Sequence, residues 1–206
     1  MAITAVPIQP VKTVSGNQPA ARRIIEEATQ TFKLGTVVTV AAAGDGGIAA
    51  WAGVTATGAP GSPAGISYEA ASNLASTGLG APQPNQPYTG IGSAVTFGSV
   101  PNEASAKNIP HGAPFNDGRV GIFLAEFADT IFSATLGNNG NTANWSDALL
   151  STNSLAGLKL DTGGNFWYVD LNQTNSVRIV GRDLRDPIGA GNRVLFQFIS
   201  TAVLQF

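Results

Sequence analysis

The sequence predicts a mainly β protein, a compact antiparallel β-sandwich or barrel with an extended N-terminal arm and long loops rich in glycine and proline. Short runs of β-branched and aromatic residues recur along the chain, separated by glycine or asparagine turns. Helical patterns are scarce, and only residues 146–150 could form one helical turn. The length of 206 residues suits one domain with an extension. We therefore expect an arm over residues 1–30 and a single β domain over residues 31–206, with a long loop excursion at about 56–118.

The composition excludes several classes of protein. Lysine and arginine number 11 against 13 acidic residues, charged residues make up 12% of the chain, and cysteine is absent. Without cysteine there can be no disulfide framework and no cysteine-ligated zinc site. A formal net charge of −2 gives no excess of positive charge to neutralise phosphates, so we expect no nucleic-acid partner. An apolar fraction of 43% with little net charge is the opposite of the disordered signature.

We expect no membrane partner and no targeting segment. The longest apolar stretches, such as 37–43 and 120–125, are far shorter than the roughly 18 residues that a membrane-spanning helix needs. The N-terminal residues lack a basic region followed by an apolar core, so they do not resemble a secretory signal. These features favour a chain that is synthesised and folded in a cytosol.

Residues 1–30 differ from the rest of the chain because prolines alternate with single apolar residues. Pro7, Pro10 and Pro19 disfavour both helix and central strand, so an extended backbone is expected. A purely solvated tail would avoid the apolar residues of this segment, which are Ile3, Val6, Ile8, Val11 and Val14. We interpret the segment as an arm that lies on its own domain, on a sister subunit or on a larger partner. A frayed terminus is the alternative.

A compact charged cluster ends the arm. Arg22 and Arg23 stand four residues before Glu26 and Glu27, which is the spacing of ion pairs on a solvated helical turn over residues 22–28. That interpretation is the favoured one. The functional alternative is a charged latch, in which the two arginines hold the arm to a neighbour.

Strand patterns begin after the arm. The β-formers after residue 36 and the apolar run after the glycine-rich turn at 44–47 predict a β-hairpin over 36–52. Residues 56–92 contain too much glycine and proline for regular structure. We therefore expect a long surface excursion there, extending to about residue 118.

The last third has the clearest strand pattern. Asn139-Gly140 is a preferred dipeptide for a two-residue hairpin turn of type I′. The strands predicted beyond it are 166–169, 177–180 and 193–199. In the last of these, Val194, Phe196 and Phe198 fall on one face. Short strands at close spacing favour a sandwich or barrel.

No catalytic motif is recognisable, so we predict that the protein is not an enzyme and holds no cofactor or metal. His111 is the one histidine of the sequence, and no Gly-x-Ser-x-Gly segment accompanies it. With no cysteine, the remaining metal ligands are carboxylates, and these lack the alternation of an EF-hand loop. A carboxylate pair for glycoside hydrolysis stays open, because such pairs meet only in the fold.

Two arginines and two aspartates alternate at the end of a predicted strand; they are Arg182, Asp183, Arg185 and Asp186. They could bind an anion, or they could neutralise one another at the surface, where such pairs contribute little. A third interpretation is an interface latch between symmetry copies, because partial burial strengthens bidentate arginine–carboxylate bonds.

Three tryptophans could form a sugar-stacking platform or fill the core. Large aromatic residues flanked by valine and phenylalanine are typical of the core of a β domain. Trp167, inside Phe-Trp-Tyr-Val, is expected to lie half in the core and half in an interface. Trp145, in an Asn-Trp-Ser segment, is the best candidate for an exposed contact.

Three stretches carry a family pattern through their order and spacing. They are R-R-I-I-E-E-A-T-Q-T-F-K-L-G-T-V-V at 22–38, D-T-I-F-S-A at 129–134, and the series F-W-Y-V-D at 166–170, V-R-I-V-G at 177–181 and G-N-R-V-L-F-Q-F at 191–198. Together they resemble the decoration, or cement, proteins that stud the heads of tailed bacteriophages. Members of that class often place an arm with basic residues before a strand of the type Q-T-F-K-x-G-x-x-V, and close on W-x-V-D, V-x-I-x-G and R-V-x-F hairpins. The similarity covers roughly 20–54 and 120–200, and residues 56–118 depart from it.

The resemblance implies a small β-tulip-like domain, often a homotrimer, that binds the outer surface of an expanded capsid and ties neighbouring major capsid subunits together. It implies a place on the virion after synthesis in the host cytoplasm. The interface residues expected on this basis are Ile3, Val6, Ile8, Val11, Arg22, Arg23, Trp145, Arg182, Asp183, Arg185 and Asp186. Two other classes stay open: a tail or fibre module that binds a host-surface glycan through aromatic residues around Trp145, and a hydrolase with two converging carboxylates.

Overall fold

The structure is a computed structural model that describes residues 6–27, 29–41, 47–53, 62–71, 119–125, 129–151, 154–161, 166–173, 176–185 and 193–199. These residues are mainly β, as the sequence predicts. The elements are β1 (Gln9–Thr13), β2 (Ala21–Ile25), β3 (Val37–Val40), β4 (Ile48–Ala50), β5 (Pro63–Ser67), β6 (Arg119–Leu124), β7 (Thr130–Asn138), β8 (Asn141–Thr142), α1 (Ala148–Ser151), β9 (Leu155–Asp161), β10 (Phe166–Asp170), β11 (Val177–Arg182) and β12 (Arg193–Phe198). The strands form two sheets, an architecture compatible with the predicted β-sandwich.

The first sheet follows the order β1-β7-β10-β9-β11-β12, and β8 pairs with β7. β7 also pairs with β12, so the pairings from β7 through β10, β9, β11 and β12 return to β7, as in a barrel. The strands are antiparallel except for β10 and β7, which run parallel. Val194, Phe196 and Phe198 share the buried face of β12, as predicted, and the two phenylalanine rings contact Phe132 on β7.

The second sheet follows the order β2-β6-β5-β3-β4 and is antiparallel throughout. Its β3–β4 pair is the hairpin predicted over residues 36–52, so that prediction is confirmed. A parallel bridge joins Glu26, directly after β2, to Ile48 at the start of β4. The second sheet is therefore also curled, because its first and last strands touch at that bridge.

Two apolar clusters fill the fold. The first contains inward residues of the barrel strands together with Val37 and Ile66 from the second sheet. Trp51 and Trp167 belong to it and stack with ring centroids 5.3 Å apart, so they tie the two sheets together. The second cluster includes Ile122 and lies within the second sheet and its connections. The core interpretation of the tryptophans is confirmed for Trp51. Trp167, predicted to lie half in an interface, is 2% exposed and belongs to the core, because its ring stacks on Trp51 between the sheets.

One part of the predicted loop excursion is a buried strand, and there the prediction is wrong. β5 lies in the middle of the second sheet, with all of its residues buried. Pro63 is its first residue, a position where the missing N–H is tolerated. At Gly65 a Cβ atom would lie 2.2 Å from the carbonyl oxygen of Phe123, so the close approach of β6 requires glycine. Apart from residues 62–71, the segment 56–118 lies outside the described residues.

The segment predicted as an arm is extended where it is described, and it contributes one strand to each sheet. β1 pairs with β7 and β2 pairs with β6, so this part of the segment lies on its own domain. The helical turn predicted over residues 22–28 is wrong, because residues 21–25 form β2. Ion pairs at helical spacing contribute only about 0.2–0.5 kcal/mol each. The backbone hydrogen bonds that β2 forms with β6 along its whole length outweigh these ion pairs.

The β7–β8 connection is the two-residue turn that the sequence predicts. Asn139 has a φ of 49° and Gly140 a φ of 85°, and a type I′ turn requires positive φ at both central residues. The strands pair directly on either side of it, Asn138 with Asn141.

Candidate functional site

A buried carboxylate follows β11, inside the run predicted as an interface latch. Asp183 is 3% exposed, and its backbone N–H donates to the carbonyl oxygen of Arg193 at 3.0 Å. Its Oδ2 accepts a hydrogen bond of 2.6 Å from the hydroxyl of Ser133 on β7. Its Oδ1 accepts one of 3.1 Å from the backbone N–H of Arg185, which makes an Asx turn. The turn over residues 183–185 is thereby fastened to both β7 and β12.

The Arg185 guanidinium closes this turn. Its Nε lies 2.9 Å from Oδ1 of Asp183 and its Nη2 lies 2.5 Å from Oδ2, a two-point contact of the kind that binds carboxylates firmly. Nε of Arg193 lies 4.0 Å from the same Oδ2. Hydrogen bonds from Arg185, and after them the one from Ser133, outweigh the effect of burial and hold the pKa of Asp183 well below its usual value. Asp183 and Arg185 do neutralise one another, but the carboxylate is buried and not at the surface.

Leu184 projects from this turn and is 85% exposed. Both of its neighbours in sequence are held by the Asp183–Arg185 contact, so its backbone is fixed before any partner arrives. Leu184 is absent from the residues predicted above, because a single leucine in a charged run has no periodicity. The signal that could have found it is an apolar residue at the centre of an Asp-x-Arg turn.

The apolar residues of the arm divide between the core and the surface. Ile8 is 2% exposed and belongs to the first apolar cluster, so it is not available to a partner. Val6 is half-buried, and Val11 and Val14 are exposed. The end of this stretch is held by Asp129, whose carboxylate accepts hydrogen bonds from the backbone and side chain of Ser15 at 2.9 and 2.5 Å.

The two arginines of the charged cluster have different surroundings. Arg22 is exposed on β2. Nε and Nη2 of Arg23 each lie 3.2 Å from Oε2 of Glu69, and Nη2 also donates to the carbonyl oxygen of Arg119 at 3.1 Å. The same Oε2 accepts the backbone N–H of Gly121 at 2.9 Å. Arg23 therefore acts as a latch inside the domain, between β2 and β6.

Trp145 is half-buried and packs against the first apolar cluster. Its indole Nε1 donates to Oδ1 of Asp147 at 2.9 Å, and Asn144 beside it is exposed. One side of the ring therefore packs against the core, and the other side is exposed to solvent next to polar side chains.

Three residues of the sequence predictions, Ile3, His111 and Asp186, lie outside the described residues. In the described ranges, no group of three or more His, Cys, Asp or Glu side chains could hold a metal ion. Within the same part of the chain, no helix combines the length and hydropathy needed to cross a membrane. No protein-family model, no curated protein and no solved structure matches this chain. A function is therefore inferred from the sequence motifs and from the surface described above.

Proposed function

We propose that the protein is a structural virion protein that binds the outer surface of a phage capsid and stabilises it by bridging neighbouring major capsid subunits. The order and spacing of the motifs that resemble phage decoration proteins support this function. The observation that carries it is the exposed Leu184 on a turn held by Asp183 and Arg185. An ion pair between a buried aspartate and a half-exposed arginine, with an exposed leucine fixed between them, suits a contact with a large partner surface. In this proposal the protein is not an enzyme.

Attachment to a shell favours contacts that need no reorganisation of the domain. Because the 183–185 turn is fixed in advance, docking Leu184 costs little conformational entropy. Burial of one leucine contributes about 1.5–3 kcal/mol, which is modest for a single site. A shell presents many equivalent sites, and a protein that touches two coat subunits at once gains from both contacts.

We also propose that the protein is a homotrimer on the capsid. A closed symmetric assembly would cover apolar side chains that the single polypeptide leaves exposed. Val14 on the arm, Leu150 in the short helix α1 and Leu155 on β9 are exposed side chains of this kind. The major capsid protein and further copies of this protein are then the partners, on the outside of the virion.

A glycan-binding tail or fibre module is the second candidate function. Trp145 favours it, because a half-buried indole with exposed Asn144 beside it offers both a stacking surface and a hydrogen-bonding group. This candidate predicts binding to a sugar and no affinity for heads.

The two functions are separated by sizing the purified protein and mixing it with expanded phage heads that lack it. Trimers that sediment with the heads support decoration. Protein that stays in the supernatant at saturating concentration contradicts it. A glycan-array signal from such protein supports the second candidate.

Leu184→Ser tests the observation that carries the proposal. Burial of one leucine is equivalent to about tenfold or more in affinity, so the dissociation constant for heads should rise by at least that factor. Leu34→Ser is the matched control, because Leu34 is also an exposed leucine but lies next to the Gly35 turn. Both variants should unfold at the wild-type midpoint. If both variants bind heads equally well, Leu184 does not take part in the contact.

A further inference from the structure

The Asn139-Gly140 turn carries a reactive dipeptide within a set of hydrogen bonds. In an Asn-Gly sequence the glycine backbone nitrogen can attack the amide carbon, Cγ, of the asparagine, because no glycine side chain obstructs the approach. The new bond from that nitrogen to Cγ closes a cyclic imide, the bond from Cγ to Nδ2 breaks and ammonia leaves. Water then opens the imide to aspartate or isoaspartate. The sequence contains one Asn-Gly dipeptide.

Three neighbours hold the two residues in the folded turn. The backbone N–H of Gly140 donates to the phenol oxygen of Tyr168 at 2.9 Å. Nζ of Lys159 donates to Oδ1 of Asn139 at 2.9 Å. The backbone N–H of Asn139 donates to Oδ1 of Asp170 at 2.8 Å, and both Asp170 and Tyr168 are fully buried. The attacking nitrogen, the attacked amide group and the backbone N–H of Asn139 are each tied to a different partner.

We propose that Asn139 is a deamidation site that the folded β7–β8 turn keeps closed. For ring closure, the nitrogen of Gly140 must lose its proton and reach Cγ of Asn139. Tyr168 opposes both steps, because its hydrogen bond holds the N–H of Gly140 and with it the attacking nitrogen. Ring closure must break this hydrogen bond first. The ammonium of Lys159 does not oppose the attack, because a donor to the amide oxygen of Asn139 stabilises the negative charge that forms there.

The phenol of Tyr168 is a poor base for removing that proton. Burial, and to a lesser degree the nearby charge of Asp170, raise the pKa of Tyr168, so the phenol stays neutral. Its oxygen therefore accepts the hydrogen bond from Gly140 without ionising to assist the attack.

Deamidation at this position would change the structure of the turn. Hydrolysis of the imide leaves a carboxylate at residue 139, beside the buried Asp170 that accepts its N–H. The isoaspartate product also lengthens the backbone by one carbon inside a two-residue turn with positive φ at both positions. Pairing between β7 and β8 should then be lost. Deamidation at Asn139 is irreversible, so the deamidated fraction would increase with the time that this turn has spent open. This inference does not depend on the proposed function.

The test follows deamidation by peptide mass spectrometry in the intact, folded protein during incubation at mildly alkaline pH. Tyr168→Phe removes the acceptor for Gly140 and so tests the restraint on the attacking nitrogen. Lys159→Gln removes the ammonium that donates to the amide oxygen of Asn139 and lies 4.0 Å from Oδ2 of Asp170. Tyr68→Phe is the matched control, since its ring packs on Gly121 and Phe123. One hydrogen bond is equivalent to about two- to tenfold in rate. We expect that acceleration in Tyr168→Phe, no acceleration in Lys159→Gln, the wild-type rate in the control, and a rate about tenfold above wild type in urea-unfolded protein.

Three results would overturn the inference. The first is a native wild-type rate equal to the unfolded rate. The second is a Tyr168→Phe rate equal to that of Tyr68→Phe with both proteins folded. The third is a wild-type peptide in which residue 139 is joined to Lys159 with loss of ammonia, because the site would then be a cross-link. The comparison of native with urea-unfolded wild-type protein keeps the test decisive if Tyr168→Phe does not fold.

Discussion

Replacing Ser133 by alanine isolates one hydrogen bond that fastens the 183–185 turn to β7. Ser133 is fully buried, and its hydroxyl donates to Oδ2 of Asp183 at 2.6 Å. The substitution removes one oxygen atom and leaves the backbone pairing of β7 unchanged. A hydrogen bond to a charged group contributes about 1.5–3 kcal/mol, so the free energy of unfolding should fall by about that amount at neutral pH.

The carboxylate makes this loss depend on pH. Hydrogen bonds from Arg185 and Ser133 lower the pKa of Asp183 in the folded protein. The stability linked to that shift is fully present above the unfolded-state pKa of about 3.9 and is lost as pH falls through the folded pKa. The difference between Ser133→Ala and wild type should therefore be constant above about pH 5 and shrink below about pH 4.

Urea unfolding followed by tryptophan fluorescence at a series of pH values measures this difference. Ser67→Ala is the matched control, because Ser67 is a buried serine whose hydroxyl donates to the neutral carbonyl of Lys33 at 3.0 Å. The loss in the control should stay the same across that pH range. A loss for Ser133→Ala below about 0.5 kcal/mol at neutral pH, or one as independent of pH as the control, would mean that Ser133 does not stabilise the charged form of Asp183.

Two further substitutions test the parts of the fold that position the surface. Ile8→Ala should lower the free energy of unfolding by about 2–5 kcal/mol in urea titrations, because Ile8 is buried in the first apolar cluster. A loss below about 1 kcal/mol would mean that the arm does not contribute to the core. Gly65→Ala should destabilise by about 1–3 kcal/mol or more, since the added Cβ meets the carbonyl oxygen of Phe123 at 2.2 Å. An unchanged thermal midpoint would contradict the close pairing of β5 with β6.

The parts of the fold that the sequence predicts correctly are those whose determinants are local. Asn139 and Gly140 specify a type I′ turn by themselves, because both tolerate positive φ. The hairpin over 36–52 depends on two short runs and the turn between them. The face of β12 follows from simple alternation, since each second side chain points to the same side of a strand.

The parts that the sequence does not predict depend on residues far apart along the polypeptide. Arg23 binds the carboxylate of Glu69, which lies 46 residues away along the sequence. Ser133 and Asp183 are separated by 50 residues, so no local sequence pattern predicts their hydrogen bond. The proline and glycine of β5 argue for a loop and against a strand, whereas the close approach of β6 is what requires Gly65. Long-range pairing outweighs local propensity in each case.

The exposed edge of β1 limits how copies of the protein could assemble. Within the described residues β1 lies at an edge of the first sheet, where unpaired backbone groups would invite another strand. Pro10 offers no N–H, the pairing with β7 shifts register between Pro10 and Lys12, and Lys12 is exposed. A proline, a bulge and a lysine are the features that block sheet extension between subunits. If the proposed trimer forms, β1 is therefore not the strand through which its subunits would share a sheet. This is why Leu184→Ser, which leaves every strand intact, tests the attachment more directly than removal of the arm and its buried Ile8.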